Sequence, residues 1–362
     1  MHEKRLQKII TNMKKHHMDQ MVITSPDSIF YLLDEWIHPG ERMLALFVNT
    51  NGDTTLFINE LFPLQKDLGV KLCIYNDTED PIDYLEKSVN LNKTMGIDKE
   101  WPSHFLIRLL KKKPGLQVEN GSIVVDEIRM VKDEDEIKLM KKASAINDQA
   151  MGKIMEVIKT GTYTELEIGK KLGEIYAQYD TNGFSFDPLI CYGSNAAQPH
   201  HSSDQTPLKI NNSIIIDIGC ISNNYASDMT RSMFFGEPDE EYKKIYDLVL
   251  KANRSAISTI KPGVKFSTID QAARSVIEHG GYGKYFTHRT GHNIGLCVHE
   301  YPDVSAVNDM IVKEGMIFSI EPGIYLQGKY GVRIEDLVLV TKDSCEVLNQ
   351  FPKNLIVFDS LK

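Results

Sequence analysis

The spacing of apolar and polar residues predicts a first domain over residues 1–126. Leu6, Ile9, Ile10 and Met13 recur at helical spacing and predict an amphipathic opening helix. Segments at Pro81 and Pro102 predict helices, because proline loses no hydrogen bond in a first turn. Short apolar segments predict strands at residues 21–24, 44–50, 54–59 and 71–75. This alternation of strands and helices predicts a small α/β domain.

The pattern changes over residues 127–362, which we expect to form a second domain. A long charged amphipathic segment follows Asp133, with acids at its start that suit a helix N-terminus. Further helices are predicted at residues 164–180, 239–260 and 267–280. Strands are predicted at residues 188–193, 213–219, 225–235, 315–326 and 331–341. The mixture predicts an α+β fold with an antiparallel sheet joined by hairpins.

Composition excludes several classes of partner. The chain has 362 residues, enough for two domains, and a net charge of −9, which argues against a nucleic-acid partner. Neither a signal-peptide h-region nor an apolar run long enough for a membrane span is present in the sequence. The five cysteines are scattered, as in proteins with reduced thiols. We therefore expect a cytoplasmic protein that binds no membrane.

Two aspartates lie in the segment NSIIIDIGCISNNYASDMTRS, which runs from Asn212 to Ser232. Asp217 stands among isoleucines, and Asp228 follows beyond the turn-rich letters ISNN. A hairpin centred there would place the two acids face to face, roughly 4.5–5.5 Å apart at Cβ. Two ionised carboxylates at that distance repel, so we expect a cation between them.

A second hairpin pattern occurs in IFSIEPGIYLQGKYGVRIEDLVLV, residues 317–340. Glu321 and Glu335 lie symmetrically about Gly328, so a hairpin would bring these acids together as well. Pro322 indicates an edge or a bulge beside Glu321. Any single acid of this kind is most simply interpreted as a surface charge. Two mirrored hairpins with acids inside apolar strands favour a shared site instead.

A histidine cluster lies in HRTGHNIGLCVHEYP, residues 288–302. His292 and His299 are seven residues apart and would point to opposite faces of a regular strand. We expect the chain to bend at Gly295, so that both reach one site. Carboxylate and imidazole donors without thiolates suit Mn²⁺, Fe²⁺, Co²⁺ or Zn²⁺. Four acids with one histidine suit a pair of metal ions better than a single Zn²⁺.

These motifs resemble the pita-bread metallopeptidases, which include methionine aminopeptidases, Xaa-Pro aminopeptidases, prolidases and the metal-free creatinases. The matching segments are IIIDIG, YASDMTR, HRTGHNIGLCVHE, FSIEPGIY and GVRIED, in order over most of residues 130–345. The resemblance implies a C-terminal pita-bread (creatinase/aminopeptidase-like) catalytic domain, preceded by a smaller α/β creatinase-type N-terminal domain.

The resemblance also implies roles for individual residues. It makes His299 the histidine that steadies the scissile carbonyl, and His200 a substrate-binding histidine. Arg333 is expected beside Glu335, either orienting that acid or meeting a substrate carboxylate. Catalytic roles are thus expected for His200, His299, Glu321 and Arg333. The implied metal ligands are Asp217, Asp228, His292, Glu321 and Glu335, with Asp228 and Glu335 bridging the ions.

The N-terminal domain and the intact ligand set favour the prolidase group. The resemblance then implies a homodimeric dipeptidase that hydrolyses Xaa-Pro dipeptides by attack of a metal-bridging hydroxide. Two divalent ions are implied, Mn²⁺ ahead of Co²⁺ or Zn²⁺. An Xaa-Pro aminopeptidase that trims longer peptides is the main alternative. A non-catalytic scaffold of the same fold is disfavoured, because such a protein should have lost ligands.

One departure concerns the substrate's terminal carboxylate. The segment EYPDVS after His299 carries Asp303 and offers no cation for that carboxylate. The loop LDEWIHPGERM, residues 33–43, has a tryptophan beside charged residues, which is typical of a contact surface. In related enzymes the N-terminal domain leans over a partner's active site. We therefore expect this loop to cover the neighbouring subunit's metal site, with His38 or Arg42 gripping the carboxylate.

Overall fold

The computed structural model of the chain describes residues 1–358. The chain divides into two compact units, Met1–Arg129 and Met130–Lys362. The domains predicted from the sequence, 1–126 and 127–362, stay a prediction. No helix within residues 1–358 has the length and apolar character that a membrane span needs. All five cysteines lie in this range and are unpaired there.

The first unit is built on a mixed sheet of six strands within residues 1–129, in the order β4-β3-β2-β1-β5-β6. The strands β1, β2 and β3 are antiparallel neighbours, and the remaining pairs in the sheet are parallel. The strands are β1 (Gln20–Ile23), β2 (Ala45–Asn49), β3 (Thr54–Asn59), β4 (Lys71–Tyr75), β5 (Met95–Ile97) and β6 (Val118–Asn120). The four predicted strands correspond to β1–β4, and their apolar side chains form much of the core of this unit.

The helices of the first unit include the three that the sequence predicts, which are α1, α3 and α4. The unit's helices are α1 (Glu3–Lys15), α2 (Pro26–Leu33), α3 (Pro81–Leu85), α4 (Ser103–Lys112) and α5 (Ser122–Arg129). The apolar run IFYLL, which carries no helical periodicity of its own, forms most of α2. The Ser25 side chain accepts a hydrogen bond from Ser28 N at the start of α2, and Pro26 occupies its first turn.

The helices of the second unit fall close to the predicted ranges. They are α6 (Glu134–Ile158), α7 (Glu165–Tyr176), α8 (Glu240–Thr259) and α9 (Phe266–His279). A capping box fixes the start of α6, because Asp133 accepts from backbone N–H groups while Glu136 accepts from Asp133 N. Their apolar faces pack against the sheets of the second unit.

The strands of the second unit form two larger sheets and two short hairpins within residues 130–358. One sheet has the order β19-β11-β8-β7 and the other β13-β12-β14-β17-β18, while β9–β10 and β15–β16 are the hairpins. The strands are β7 (Leu189–Tyr192), β8 (Asn212–Ile218), β9 (Ile221–Ser222), β10 (Tyr225–Ala226), β11 (Met229–Phe235), β12 (Gly291–Asn293), β13 (Glu300–Val304), β14 (Ile317–Ile320), β15 (Gly323–Leu326), β16 (Tyr330–Arg333), β17 (Asp336–Val340), β18 (Cys345–Val347) and β19 (Ile356–Phe358).

Strand β8 is buried on both faces, which explains its run of isoleucines. Ile214, Ile216 and Ile218 enter the core beneath α6 and α7. Ile215 lies on the opposite face with Tyr325. Asp217 alternates with Ile216 and therefore shares the face of Ile215.

The hairpin from β8 to β11 forms as predicted, but the predicted register was wrong. Asp217 pairs with Thr230, so Asp228 lies two residues beyond the position directly opposite Asp217. Asn223 and Asn224 form the tip, both with positive φ (48° and 71°), as in the turn type that matches strand twist. The two aspartates are therefore diagonal neighbours rather than a facing pair.

The second predicted hairpin has the expected register. Ile320 pairs with Asp336 on one side, and Gly323 pairs with Arg333 on the other. The two registers are continuous and place Glu321 opposite Glu335. The strand is interrupted between β14 and β15 at Pro322, the position where a break was expected.

Candidate metal centre

The predicted site residues of the second unit line one cavity of about 530 Å³. This size is within the roughly 300–1,000 Å³ usual for small-molecule sites. The structure brings together the five expected ligands and the other three candidates of this unit, namely Asp217, Asp228, His292, Glu321, Glu335, His200, His299 and Arg333. Phe186, Leu189, Pro199 and Val298 give the same cavity an apolar wall.

The two candidates in the first unit have local partners. Arg42 donates from Nε and Nη2 to the two carboxylate oxygens of Asp77, each at 2.7 Å. His38 is exposed and stacks on Trp36, with ring centroids 5.7 Å apart, while Trp36 stacks on Phe30 at 4.4 Å. The loop is thus held by aromatic stacking, and the charge of Arg42 is already matched by an acid.

Asp217 is held by a buried arginine. Arg333 donates from Nη2 to Asp217 Oδ2 at 2.7 Å, from Nε to Thr230 at 3.1 Å and from Nη1 to the Tyr325 hydroxyl at 3.0 Å. The predicted neighbour of Arg333 was Glu335, but Arg333 reaches that acid through Thr230, whose hydroxyl donates to Glu335 Oε2 at 2.7 Å. One arginine and one hydroxyl thereby orient two acids of the site.

His292 lies between two acids. Its Nε2 is 3.7 Å from Asp228 Oδ2 and 3.4 Å from Glu321 Oε1. Two ligand atoms that each lie about 2.1 Å from one ion are at most about 4.2 Å apart, so these distances suit a shared ion. The other ring nitrogen, Nδ1, is 3.1 Å from the Asn293 carbonyl oxygen. A proton on Nδ1 would bond that carbonyl and leave Nε2 as the metal-binding atom.

Unpaired carboxylate oxygens mark where cations fit. Among residues 1–358, Asp217 Oδ1, Asp228 Oδ1 and Glu335 Oε1 are buried and have no hydrogen-bond partner. Buried polar atoms normally find a partner, and burying an unpaired charge costs several kcal/mol. Ligand atoms of Asp228, His292 and Glu335 also lie within 4.8 Å of one another. The residues present therefore fit divalent cations.

The protonation states of the site support the same conclusion. Burial, with the charges of Glu335 and Asp217, raises the pKa of Asp228 well above its usual range. Burial also raises the pKa of Glu335, and it raises the pKa of Glu321 to about 7, with Asp217 adding to the effect. Burial lowers the pKa of His292 to about 3, so its ring is neutral at pH 7, the state that binds metal.

The histidine cluster meets as predicted, although through a turn rather than a bent strand. Strand β12 ends at Asn293, and the chain reverses before β13. The rings of His292 and His299 lie 4.1 Å apart at an angle of 74°. Gly291 permits the close approach of β12 to β14, because a Cβ there would lie 1.9 Å from Ser319 O. His288 contacts the Tyr325 hydroxyl through Nε2 at 2.8 Å and thereby extends the network around Arg333.

Several residues of the site were not identified from the sequence. Thr230 follows Asp228 by two residues in SDMTR, so strand periodicity places both on one face. Arg289 lines the cavity and stands beside His288 in the histidine motif. Tyr325 contacts both His288 and Arg333. A charged residue inside a ligand motif, such as Arg289, was the available sequence signal.

A second cluster of acids and histidine has a structural explanation. Glu165, His201 and Asp204 lie close enough to share an ion. Glu165 nevertheless accepts hydrogen bonds from Tyr192 N, Asn195 Nδ2 and Asp204 N, and its Oε2 is 2.8 Å from His201 Nε2. Both Glu165 oxygens are therefore satisfied by the protein, in contrast to the acids of the cavity.

This fold and site define a metallopeptidase, and comparisons with known proteins agree. Residues 138–342 match the model of metallopeptidase family M24, and residues 5–131 match the creatinase/prolidase N-terminal domain. An uncharacterized peptidase from Staphylococcus aureus (strain USA300) is 36% identical over 96% of this chain and 99% of its own. The chain belongs to metallopeptidase family M24.

Solved structures share the whole architecture. A prolidase from Thermococcus sibiricus superposes with a TM-score of 0.92 at 30% identity, covering 99% of each chain. An X-Pro aminopeptidase from Thermotoga maritima superposes with a TM-score of 0.80 at 30% identity, covering 96% of this chain and 99% of its own. The expected pita-bread domain and creatinase-type N-terminal domain are thus confirmed.

Proposed function

We propose that this protein is a dinuclear-metal dipeptidase that hydrolyses Xaa-Pro dipeptides. The observation that carries the proposal is the set of unpaired, buried carboxylate oxygens on Asp217, Asp228 and Glu335, gathered around neutral His292. The structural similarity to a prolidase supports the substrate class. The similarity to an X-Pro aminopeptidase makes longer Xaa-Pro peptides the alternative.

The donor set supports two ions and favours Mn²⁺. Asp217, Asp228, His292, Glu321 and Glu335 would hold them, and four carboxylates with one imidazole are harder donors than the nitrogen and sulfur ligands typical of Zn²⁺ sites. Co²⁺ and Zn²⁺ can use the same donors and stay the alternatives. When bound, the ions would activate a water molecule for attack and polarise the scissile carbonyl.

Glu321 is placed to move the proton of the attacking water. Its side chain is 17% exposed, more than the 12% of Asp217 and the 6% of Asp228. Ser319 donates to Glu321 Oε1 at 3.2 Å and holds the carboxylate in place. Glu321 would accept a proton from water and deliver it to the leaving proline nitrogen.

Two histidines would act on the substrate rather than on the ions. Burial, together with the charge of Arg289, lowers the pKa of His299, so a neutral ring can donate N–H to the developing oxyanion. His200 is exposed at the cavity and free to contact substrate as it enters. Arg333, buried among Asp217, Thr230 and Tyr325, would orient the acids and act as a positioning residue.

The decisive experiment compares substrates of two lengths. Purified protein loaded with Mn²⁺ is assayed on Leu-Pro and on Leu-Pro-Gly-Gly, with metal content measured by mass spectrometry. Cleavage of Leu-Pro alone supports the dipeptidase, and preferred cleavage of the longer peptide indicates an Xaa-Pro aminopeptidase. Cleavage of Met-Ala-Ser ahead of both would indicate a methionine aminopeptidase. Two ions per chain are expected, and a protein that binds none and is not activated by Mn²⁺ or Co²⁺ would contradict the proposal.

We also propose a cytoplasmic homodimer in which the loop 33–43 covers the metal site of a second copy. The exposed His38 and the half-buried Trp36 offer a contact surface on that loop. Light scattering after size exclusion gives the mass directly. An active monomer would contradict this arrangement, whereas an inactive variant Trp36→Ala that elutes as a monomer would support it.

A further inference from the structure

A dipeptide substrate brings a C-terminal carboxylate into the cavity, and the protein needs a cation to hold it. This requirement rests on the proposed function, because a longer peptide would have no charge at that position. The segment EYPDVS offers no cation for this purpose. It carries the acid Asp303, which lies on β13 opposite His292 in the sheet register. The cation must therefore come from another element.

Most of the basic residues around the cavity are already engaged. Arg333 is 4% exposed, and hydrogen bonds to Asp217, Thr230 and Tyr325 occupy its guanidinium. His288 Nε2 is 2.8 Å from the Tyr325 hydroxyl and its Nδ1 is 2.7 Å from the Arg289 carbonyl oxygen, so both ring nitrogens have partners, while His292 would hold a metal ion. These groups are therefore already committed to contacts with the protein or with a metal ion.

Arg289 differs from them in exposure and in partners. It lines the cavity, and its side chain is 40% exposed. Its one ion-pair contact among residues 1–358 is the distance of 4.0 Å from Nη1 to Asp303 Oδ2. At that separation no hydrogen bond forms, so the five N–H donors of the guanidinium are free of protein acceptors in the described chain.

Asp303 lies beside this arginine without occupying its hydrogen-bond donors. Its other oxygen, Oδ1, lies 3.3 Å from the donors of both Ser305 and Asn308, which fix the carboxylate. Asp303 itself is not among the residues that line the cavity. The cation therefore faces the cavity, with the acid behind it.

We propose that Arg289 binds the C-terminal carboxylate of the dipeptide. A planar guanidinium pairs with a carboxylate through two parallel hydrogen bonds, a geometry that recognises a free terminus. Arg289 thus takes the role that the sequence suggested for Arg42 or His38. Arg42 is instead paired with both oxygens of Asp77.

The test compares a free acid with its amide. Wild type and Arg289→Gln are assayed on Leu-Pro and on Leu-Pro-amide, and free proline and prolinamide are compared as inhibitors. The variant should raise KM for Leu-Pro about ten- to hundredfold with little change in kcat, because the contact is the same in ground state and transition state. Constants for the amide and for prolinamide should be unchanged, so the preference for the free acid disappears.

Matched variants separate this role from a general loss of charge. Lys329→Gln removes an exposed cation that is paired with Glu241 and should leave all constants as in wild type. Arg289→Lys keeps the charge without the planar fork and should recover part of the preference. Metal content of Arg289→Gln should equal that of wild type, because the residue is not a ligand.

The outcomes distinguish this inference from the proposed function. A wild type that cuts no Xaa-Pro dipeptide overturns both. A wild type that cuts Leu-Pro, with Arg289→Gln retaining the full preference for the acid over the amide, overturns only the assignment of Arg289. Equal loss on acid and amide would also overturn it, because a carboxylate contact cannot act on the amide.

Discussion

Arg333 and Asp217 are joined by a hydrogen bond of 2.7 Å that fixes which oxygen of the aspartate faces the cavity. Oδ2 meets the guanidinium, while Oδ1 has no partner among residues 1–358. The arginine compensates an acid buried in a strand of isoleucines, and it leaves the second oxygen for a cation. Removing such a neighbour of a ligand typically costs 10–100-fold in metal affinity.

The variant Arg333→Met should therefore weaken Mn²⁺ binding by about 10–100-fold, measured by calorimetric titration of the metal-free protein. Arg333→Lys keeps the charge, and its Mn²⁺ affinity should fall between those of wild type and Arg333→Met. Arg254→Met removes an exposed arginine and serves as the control. Unchanged Mn²⁺ affinity in a folded Arg333→Met protein would show that the arginine does not orient Asp217.

Asp228→Asn and Glu335→Gln should each abolish activity. Each should also lower the amount of bound metal by more than a substitution at a residue that is not a metal ligand. Both acids would hold the metal, and the amide that replaces either one lacks the charge that binds a divalent cation. Activity and metal content are measured on the same preparations. Asp309→Asn, which alters an exposed acid paired with Lys265, should behave as wild type. Near-normal turnover with full metal in either variant would contradict the ligand assignment.

Sequence patterns predicted most of the helices and longer strands of this fold because period and turn chemistry are local, but they missed short strands such as β5, β6 and β12. The register of the second hairpin followed from the symmetry of Glu321 and Glu335 about one glycine. The first hairpin was placed wrongly, because the prediction took the two aspartates as partners. The tip at Asn223 and Asn224 instead pairs Asp217 with Thr230. A shift of this size keeps each side chain on its face, so the acids still reach one site.

Contacts between distant segments were beyond such reasoning. Arg333 meets Asp217 across 116 residues, and Thr230 meets Glu335 across 105. No local pattern specifies these pairs, since they depend on how the segment from β16 to β17 packs against β8 and β11. The missed residues Thr230 and Tyr325 are of this kind, whereas Arg289 stands inside the histidine motif and could have been singled out. Thr230 and Tyr325 contact other site residues through pairings that no local pattern specifies.

Metal binding should stabilise the protein more at pH 8 than at pH 5.5. Burial raises the pKa of Glu321 from 4.5 to about 7, so without metal its contribution to stability is complete below pH 4.5 and is lost as pH rises through 7. A bound cation needs the ionised acid and reverses that loss. The pKa of His292 lies near 3, so its ring stays neutral across this window.

The measurement is the rise in Tm on adding Mn²⁺ to chelator-treated protein at the two pH values. In Glu321→Gln the rise in Tm should depend less on pH, because the amide has no proton to lose. An equal rise in Tm at pH 5.5 and pH 8 would show that protons do not compete with the metal at these acids.

A buried ion pair supports the loop that carries His299. Lys132 Nζ lies 3.2 Å from Glu300 Oε2, and the two side chains are 1% and 6% exposed. The other oxygen, Glu300 Oε1, accepts hydrogen bonds from Leu296 N at 2.9 Å and Cys297 N at 3.2 Å. Glu300 therefore ties the turn between β12 and β13 to the lysine before α6.

Lys132→Met should lower the free energy of unfolding by about 3–5 kcal/mol, because it removes the buried cation that pairs with Glu300. Urea unfolding, followed by circular dichroism, measures the change. Lys138→Met removes an exposed lysine paired with Asp135 and should cause no measurable loss. Lys132→Met should also lower kcat on Leu-Pro at full metal content, because His299 loses its support while the metal ligands remain. A destabilised variant with unchanged kcat would mean that Lys132 and Glu300 serve stability alone.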